Sequence, residues 1–208
     1  MASSIRVVIV DDHQVLRDGL RTILSLETEI EVVAEAATGA EALALAEREQ
    51  PDVLVLDVRL PDTDGPLLIE PITSRSPATK ILMLTSHGGE ETVRQALEAG
   101  AAGFVLKDSA SEAIVAAVRC VAGGGRVMDA VISARLVDAI GRDRLTPREI
   151  DVLREAALGQ SNKVIAAALG IKEATVRVHL THVFEKLGAR DRTDAVMIAL
   201  ERGIIHLR

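Results

Sequence analysis

Short apolar segments alternate with amphipathic segments through the first half of the chain. The amphipathic segments place apolar residues at helical spacing, as in VLRDGLRTILSL and ETVRQALEAG. The apolar runs lie at residues 5–10, 30–36, 52–57, 80–86 and 103–107. Strands that alternate with helices predict βαβ units, and helices on both faces of a parallel sheet explain why the strands are apolar throughout. The pattern therefore predicts an α/β fold with a doubly wound, five-stranded parallel sheet.

The pattern changes after three consecutive glycines at residues 123–125. Thr146 suits a helix N-cap, Pro147 suits the first helical position, and Glu149 completes a capping box. Helical segments are then predicted at about 147–158, 162–169, 173–187 and 192–202. We therefore expect a first domain at residues 1–122, a linker with some helical character at 123–143, and an all-α domain of four helices at 144–208.

Composition excludes several functional classes. The chain has two Phe and neither Trp nor Tyr, which argues against recognition of single-stranded nucleic acid by aromatic stacking. The single cysteine, Cys120, excludes an internal disulfide, and its apolar surroundings AIVAAVRCVA predict a core residue. The sequence shows neither a secretory signal nor a stretch long enough for a membrane span. We expect a cytoplasmic protein without a membrane partner.

Charge is divided unevenly between the two halves. Residues 1–143 contain 13 Lys and Arg against 23 Asp and Glu, a net charge of −10, whereas residues 144–208 contain 11 against 8, a net charge of +3. Such asymmetry indicates two domains with different partners. The weakly positive half permits binding of nucleic acid without demonstrating it.

Polar side chains follow the ends of several predicted strands. These are Asp11 and Asp12, Asp57, Thr85 and Ser86, and Lys107. In open parallel sheets, ligands bind beyond the carboxyl ends of the strands. Neighbouring carboxylates disfavour each other's ionisation unless a positive charge lies nearby, and their oxygens are the ligands that Mg²⁺ prefers. The sequence therefore indicates a cation-binding site at this edge of the sheet.

Each of these residues also has a purely structural interpretation. Asp11 or Asp12 could cap the helix that follows, and Asp57 could stabilise a turn within VRLPDTDG. Thr85 could be an ordinary strand residue, and Lys107 a solvated lysine. Their joint occurrence at the ends of successive strands favours a common site.

Several motifs resemble the receiver domain of bacterial two-component response regulators. They are IVDDH, VLDVRLPDTDG, ILMLTS and GAAGFVLKD, and the resemblance covers about residues 4–122. It implies a flavodoxin-like fold in which Asp57 is the phosphoacceptor. It further implies Mg²⁺ (or Mn²⁺), bound directly by Asp12 and largely through water by Asp11, with Asp57 and the backbone carbonyl of Arg59 as the remaining protein ligands.

The same resemblance assigns three more residues. Thr85 and Lys107 would hold phosphoryl oxygens, and Phe104 would be the switch aromatic that follows Thr85 inward. A plain core role for Phe104 remains open. The chemistry agrees, because a metal ion and a lysine offset the repulsion between an attacking carboxylate and a phosphoryl donor.

Two features depart from a typical receiver. Pro71 lies inside the helix expected after Gly65, and we expect that helix to be kinked or shortened. Arg59 and His87 lie two residues after Asp57 and Thr85 and flank the predicted phosphoryl site. Residues at these positions can shield or admit the hydrolytic water.

The helix predicted at 173–187 has two distinct faces. Val176, Leu180, Val183 and Leu187 share one face, and the opposite face holds Ala174, Arg177, Val178, Thr181 and Glu185. A shorter helix that ends at Gly170 precedes it, and this succession is typical of a helix-turn-helix, whose second helix can enter the DNA major groove. A small helical bundle that binds protein is the alternative.

Residues 144–205 resemble the DNA-binding domain shared by the LuxR and NarL/FixJ families. The similar segments are LTPREIDVL, GQSNKVIAAALGI and ATVRVHLTHVFEKLGARDRTDAV. The resemblance implies base contacts from Arg177, Val178 and Thr181, phosphate contacts from Lys163, Lys172 and His179, and candidate dimer contacts from Ala195, Val196, Ile198 and Ala199. Packing within the domain is the alternative for the last group.

Together these features predict a transcriptional response regulator of the NarL/FixJ class. A sensor histidine kinase or a small phosphodonor would phosphorylate Asp57, and a homodimer would bind promoter DNA at paired half-sites. We expect no enzymatic activity beyond autophosphorylation from a phosphodonor and slow autodephosphorylation. A phosphatase with an aspartyl-phosphate intermediate is a rival, but such enzymes typically carry a second Asp where this chain has Arg59. A regulator independent of phosphorylation is another, although such proteins usually lose part of the acidic set.

Overall fold

Strands and helices alternate through the first part of the chain, as predicted. The computed structural model describes residues 4–86, 89–138 and 143–205. The chain divides into two compact units, the first formed mainly by residues up to 134 and the second mainly by residues from 135 onward. The prediction about His87 lies outside the described residues.

The first unit is a layered α/β structure. Its strands are β1 (Ile5–Val10), β2 (Ile30–Ala36), β3 (Val53–Asp57), β4 (Lys80–Thr85), β5 (Gly103–Leu106) and β6 (Val127–Met128). The helices that lie mainly in this unit are α1 (Gln14–Ser25), α2 (Gly39–Glu49), α3 (Ile69–Arg75), α4 (Glu90–Glu98) and α5 (Ser111–Ala122). The division between the units falls within α6 (Ala130–Asp138). A 3₁₀ helix, Gly65–Leu68, precedes α3.

The strands form one parallel sheet in the order β2-β1-β3-β4-β5-β6. The prediction of a parallel sheet is confirmed, but the predicted number of five strands is wrong. β6 lies within the predicted linker and pairs with β5, so that Gly103 faces Val127 and Phe104 faces Met128. A strand of two residues after three glycines is too short to produce a recognisable hydrophobic pattern.

Helices cover both faces of the sheet, so its central strands are buried throughout. Every residue of β3 is buried. On one face, Val7 and Ile9 of β1 pack in a core with residues of α1 and α5, including Leu20 and Val118. This packing explains the continuous apolar runs in the sequence.

Cys120 does not belong to this core, and the prediction that it does is wrong. Its side chain is exposed near the end of α5. The buried residues of α5 are Ile114, Val115, Ala117, Val118 and Val121. Cys120 lies outside that helical stripe, although its neighbours in the sequence are apolar.

Pro71 has the predicted effect on the segment after Gly65. This segment forms four residues of 3₁₀ helix and then α3, which has seven residues. Pro71 is the third residue of α3. Proline is tolerated there because the first N–H groups of a helix have no acceptor within it.

The second unit is helical and follows the predicted boundaries to within one residue. Its helices in the described part are α7 (Pro147–Ala157), α8 (Asn162–Leu169), α9 (Glu173–Leu187) and α10 (Arg192–Glu201). Gly170 ends α8 in the left-handed conformation, with φ of 65°, which glycine adopts without steric cost. The predicted apolar face of α9 is buried: Val176, Leu180, Val183 and Leu187. No helix in the described residues has the length and apolarity that crossing a membrane requires.

A buried carboxylate joins α7 to α9 in this unit. Glu149 is only 3% exposed and forms the predicted capping box with Thr146. Lys186 of α9 donates a hydrogen bond to the same carboxylate oxygen that accepts the Thr146 N–H, with Nζ 2.7 Å from Glu149 Oε2. Burial raises the pKa of Glu149, but the hydrogen bonds from Lys186 and Thr146 outweigh it and leave the pKa below its usual value.

We expect Glu149→Gln to destabilise the protein mainly at neutral pH. Because the folded state depresses this pKa, the ionised carboxylate stabilises the fold above the usual glutamate pKa of about 4.3, and this contribution disappears as the pH falls through the folded pKa. The variant should lose about 1–2 kcal/mol of unfolding free energy at pH 7. Urea unfolding of the full chain at pH 7 and below pH 4 measures the difference.

Glu185→Gln is the matched control, because Glu185 is an exposed carboxylate of α9. It should leave the unfolding free energy nearly unchanged at either pH. If Glu149→Gln lowered the free energy of unfolding equally at both pH values, the ionised carboxylate would have no specific role.

Candidate functional sites

Acidic residues from the first and third strands meet at the carboxyl edge of the sheet. Asp11 directly follows β1 and is completely buried, and Asp57 ends β3 and is 4% exposed. Asp12 is exposed beside them. The carboxylates of these residues and the imidazole of His13 each place a ligand-type atom within 4.8 Å of the others. The structure therefore brings the three predicted aspartates together.

Lys107 lies between the two buried carboxylates. Its Nζ is 2.6 Å from Asp11 Oδ2 and 2.6 Å from Asp57 Oδ2. It donates a hydrogen bond to Asp57. The contact with Asp11 is an ion pair without hydrogen-bond geometry, so within the described residues Asp11 Oδ2 is a buried oxygen that receives no hydrogen bond. Lys107 is therefore no ordinary solvated lysine.

Burial and charge shift the protonation equilibria of this pair. Burial raises the pKa of Asp57, the hydrogen bond from Lys107 lowers it, and the charge of Asp11 raises it again, so the net direction is upward. Burial lowers the pKa of Lys107, but the contacts of its ammonium group with the Asp11 and Asp57 carboxylates dominate and raise it. Lys107 thus remains charged, and it neutralises only part of the negative charge around it.

The loop after Asp57 folds back onto the end of β3. The backbone N–H of Arg59 donates to Asp57 Oδ1 at 3.2 Å, and that of Gly65 donates to the carbonyl of Val58 at 2.8 Å. A Cβ atom on Gly65 would lie 2.2 Å from the Asp57 carbonyl oxygen. Only glycine therefore fits at this position without moving the backbone of the site.

Thr85 and Phe104 lie beneath the same edge. Thr85 ends β4 and is buried, and its carbonyl accepts the backbone N–H of Lys107 at 2.8 Å. Phe104 is completely buried, as its interpretation as a core residue requires. The proposed movement of Thr85 and Phe104 stays a prediction.

The sequence analysis did not single out His13, which contacts both aspartates that precede it. Its Nδ1 is 2.7 Å from Asp12 Oδ1 and 3.2 Å from Asp11 Oδ1. His13 also occupies the N-cap position of α1 and makes no side-chain cap bond. The alternative in which Asp11 or Asp12 caps this helix is therefore wrong. The succession of three possible metal ligands in the sequence, DDH, could have indicated that His13 belongs to this group.

The exposed face of α9 carries the residues predicted to contact DNA bases. Arg177, Val178 and Thr181 are all exposed. The Thr181 hydroxyl donates to the carbonyl of Arg177 at 3.1 Å, and the Arg177 guanidinium is 3.6 Å from Glu173 in an exposed pair that contributes little to stability. Lys163 and Lys172, the predicted phosphate contacts, are exposed, and His179 is half-buried.

The prediction of dimer contacts on α10 is only partly compatible with the structure. Ala195 and Ala199 are completely buried in the core of the second unit, so a second chain cannot reach them. Val196 and Ile198 pack partly against the same core. Met197, which was not predicted, exposes 52% of its surface. The helix turns its small residues inward because alanine permits close packing of helices.

Comparisons with known proteins agree with this arrangement. The family model described as response regulator receiver domain matches residues 7–119, and that of bacterial regulatory proteins of the luxR family matches residues 143–199. Transcriptional regulatory protein LnrK of Bacillus subtilis (strain 168) is 36% identical over 216 residues, which cover 96% of this chain and 98% of LnrK.

Two solved structures extend the comparison. The crystal structure of ChrA, the response regulator of a heme-sensing two-component system, is 38% identical with a TM-score of 0.59, and the match covers 98% of this chain and 100% of ChrA. A structure of two RcsB dimers bound to two parallel DNAs is 25% identical with a TM-score of 0.70, and it covers 96% and 99% of the two chains. The chain therefore belongs to the two-component response regulators, and it joins a receiver domain to a LuxR-type DNA-binding domain that acts in transcriptional regulation.

Proposed function

We propose that Asp57 accepts a phosphoryl group from a sensor histidine kinase or a small phosphodonor. The observation that carries this proposal is the position of its carboxylate at the sheet edge, 2.6 Å from Lys107 and within 4.8 Å of further potential metal ligands. A carboxylate that attacks phosphorus needs nearby positive charge, since both reactants are anionic. Lys107 supplies part of that charge.

A divalent cation such as Mg²⁺ (or Mn²⁺) would supply the rest of the positive charge that phosphoryl transfer needs. The site contains a buried carboxylate oxygen of Asp11 without a hydrogen bond, and its donors are the oxygens that hard cations prefer. Asp12, Asp57 and the Arg59 carbonyl would hold the ion directly, and Asp11 would act largely through water. When bound, the ion would offset negative charge on the transferring phosphoryl group.

The residues of the chain have distinct parts in phosphoryl transfer. An Asp57 oxygen forms a bond to phosphorus as the bond between phosphorus and the donor breaks, which leaves an acyl phosphate. Lys107 and Thr85 would then hold phosphoryl oxygens. Their backbones are already linked by the 2.8 Å bond from Lys107 N–H to the Thr85 carbonyl. Phe104 is buried on the neighbouring strand, where it pairs with Met83 of β4, and a switch role would require it to move together with Thr85.

The second unit supplies the response to phosphorylation. We assign base contacts to Arg177, Val178 and Thr181 because α9 exposes them on one face. Lys163, Lys172 and His179 would contact phosphates. The RcsB structure contains dimers bound to DNA, and by analogy we propose that this protein binds paired half-sites as a homodimer. On α10, Val196, Met197 and Ile198 remain as candidate contacts.

We assign the two parts of this function to the two predicted domains, and we expect the protein to act in the cytoplasm. Residues 1–122 would form the receiver, 123–143 the linker and 144–208 the DNA-binding domain, although β6 shows that part of the linker joins the sheet. Arg59 occupies the place where a phosphatase of the aspartyl-phosphate type carries an acid/base, which favours a regulator that hydrolyses its own acyl phosphate slowly. Arg59 is exposed beside the site, where it can shield that bond from water.

Phosphorylation should occur at a single carboxylate. After incubation with acetyl phosphate and Mg²⁺, intact mass spectrometry should show one added phosphoryl group on the wild type and none on Asp57→Ala. Asp18→Ala removes a partly exposed carboxylate of α1 that pairs with Arg21 and should be phosphorylated like the wild type. A phosphoryl group retained by Asp57→Ala would refute the assignment.

Lys107→Ala should make the receiver depend on metal for its stability. Without the lysine, two buried carboxylates lose their shared counter-charge, and we expect a loss of about 2 kcal/mol in metal-free buffer. Added Mg²⁺ should raise the melting temperature of the variant more than that of the wild type, because an ion that binds only the folded state stabilises it. Lys80→Ala, at an exposed lysine that begins β4, is the control. Equal responses of both variants to Mg²⁺ would contradict this role of Lys107.

Arg177→Ala should weaken sequence-specific DNA binding by about 1–3 kcal/mol. The probe is a duplex selected from random DNA by the wild-type protein, and binding is compared with that to an unrelated duplex. Arg154→Ala removes the same charge from an exposed position on α7 and should affect both duplexes alike. If Arg177→Ala also weakens both duplexes equally, Arg177 does not contact bases.

A further inference from the structure

The loop that follows Asp57 is fastened to the beginning of α2. Asp62 Oδ1 accepts the backbone N–H of Gly39 at 2.8 Å, and Asp62 Oδ2 accepts that of Ala40 at 3.0 Å. These N–H groups belong to the first turn of a helix, where no acceptor is available within the helix itself. Thr38 satisfies a third donor of the same turn, the N–H of Glu41. The N-terminus of α2 is therefore capped by two residues, Thr38 next to the helix and Asp62 from the loop.

Side chains that follow Asp57 in the sequence also lie close to the backbone at the start of α2. A Cβ atom on Gly39 would lie 2.4 Å from Thr63 Cγ2 and 3.0 Å from Leu68 Cδ1. Gly39 is buried by this approach. Two adjacent loop residues, Asp62 and Thr63, thus meet the same end of α2, one by hydrogen bonds and the other by van der Waals contact.

Charge favours the same contact. The N–H groups at a helix N-terminus carry partial positive charge, which attracts a carboxylate. The hydrogen bond from Gly39 lowers the pKa of Asp62 below its usual value, and the bond from Ala40 acts in the same direction. Asp62 is therefore ionised throughout the neutral pH range and can accept both N–H groups at once.

Asp62 lies in the middle of the segment that forms the phosphoryl site. The loop closes on itself through the bond from Leu60 N–H to the Thr63 carbonyl, at 3.0 Å, and through that from Gly65 N–H to Val58. Its first residues carry the Asp57 carboxylate and the Arg59 carbonyl, both assigned above to the metal ion. A loop closed in this way moves as a unit, so an anchor at its tip also restrains its beginning.

We propose that Asp62 is a positioning residue for metal binding and phosphorylation, because its clasp on α2 holds the Arg59 carbonyl and the Asp57 carboxylate in place. The proposal rests on the function proposed for Asp57. In this proposal α2 fixes the position of the loop, although in the described structure no residue of α2 belongs to the group of potential metal ligands around Asp57. If Asp62 served only to cap α2, removing it should affect metal binding no more than removing Thr38, the other cap of this helix.

The experiment compares the removal of each cap. Binding of Mn²⁺ to the full chain is measured by isothermal titration calorimetry for the wild type, Asp62→Ala and Thr38→Ala, with Asp12→Ala as the reference for loss of the site. Residues that support metal ligands from behind typically affect affinity by 10-fold or more. We expect about tenfold weaker binding for Asp62→Ala and a change of less than about twofold for Thr38→Ala. Phosphorylation rates with acetyl phosphate at limiting Mg²⁺ should follow the same order, and excess Mg²⁺ should restore the rate of Asp62→Ala.

Asp62→Asn provides a second measurement that does not depend on the folding of Asp62→Ala. The amide keeps one acceptor oxygen, so this variant should hold one of the two N–H groups and bind Mn²⁺ with intermediate affinity. Unchanged affinity in Asp62→Asn and Asp62→Ala, or an equal loss in Thr38→Ala, would overturn the proposal. Failure of the proposed function gives a different result, in which the wild type itself takes up no phosphoryl group and Asp12→Ala leaves Mn²⁺ binding unchanged.

Discussion

An incomplete balance of charge at one edge of the sheet organises the receiver. Parallel strands bring their carboxyl ends together, and here this geometry places Asp11 and Asp57 in buried positions beside a single lysine. Burying like charges costs free energy unless opposite charge accompanies them. The pairing of β5 with β4 sets the place of Lys107, and the loop after β3 closes over Asp57. This imbalance supports the proposal that the site binds a cation and accepts a phosphoryl group.

The second unit uses a buried carboxylate in the opposite way. Glu149 has a lysine counter-charge of its own, since Lys186 and the Thr146 backbone N–H both donate to its Oε2, and within the described residues Lys186 bridges to no second carboxylate. The contact with Lys186 joins α9, whose other face is exposed, to α7. One chain thus contains a carboxylate that is proposed to react, Asp57, and another that joins two helices, Glu149. The difference lies in the charge around each carboxylate, because Glu149 has Lys186 as its own counter-charge whereas Asp57 shares Lys107 with Asp11.

Features that depend on local pattern could be predicted from the sequence, and those that depend on tertiary approach could not. Alternating apolar segments predicted the parallel sheet, and the strand ends then indicated the cluster around Asp57. The capping box at Thr146 and the two faces of α9 follow from spacing alone. Cys120 was misplaced because apolar neighbours do not fix the phase of a helix. Asp62 was missed because its partners are 22 and 23 residues away in the sequence, and β6 because two residues form no pattern.

The short strand β6 changes what a movement of β5 would involve. Strand β5 leads to Lys107 and contains Phe104, and its outer side is bonded to the start of the predicted linker. The N–H of Val127 donates to the Ala102 carbonyl at 3.3 Å, and that of Asp129 donates to the Phe104 carbonyl at 3.2 Å. Without β6, this side of β5 would be an open edge with unpaired backbone groups. With β6 present, a shift of β5 would either break these two bonds or carry residues 127–129 along, so the start of the predicted linker would move together with the strand.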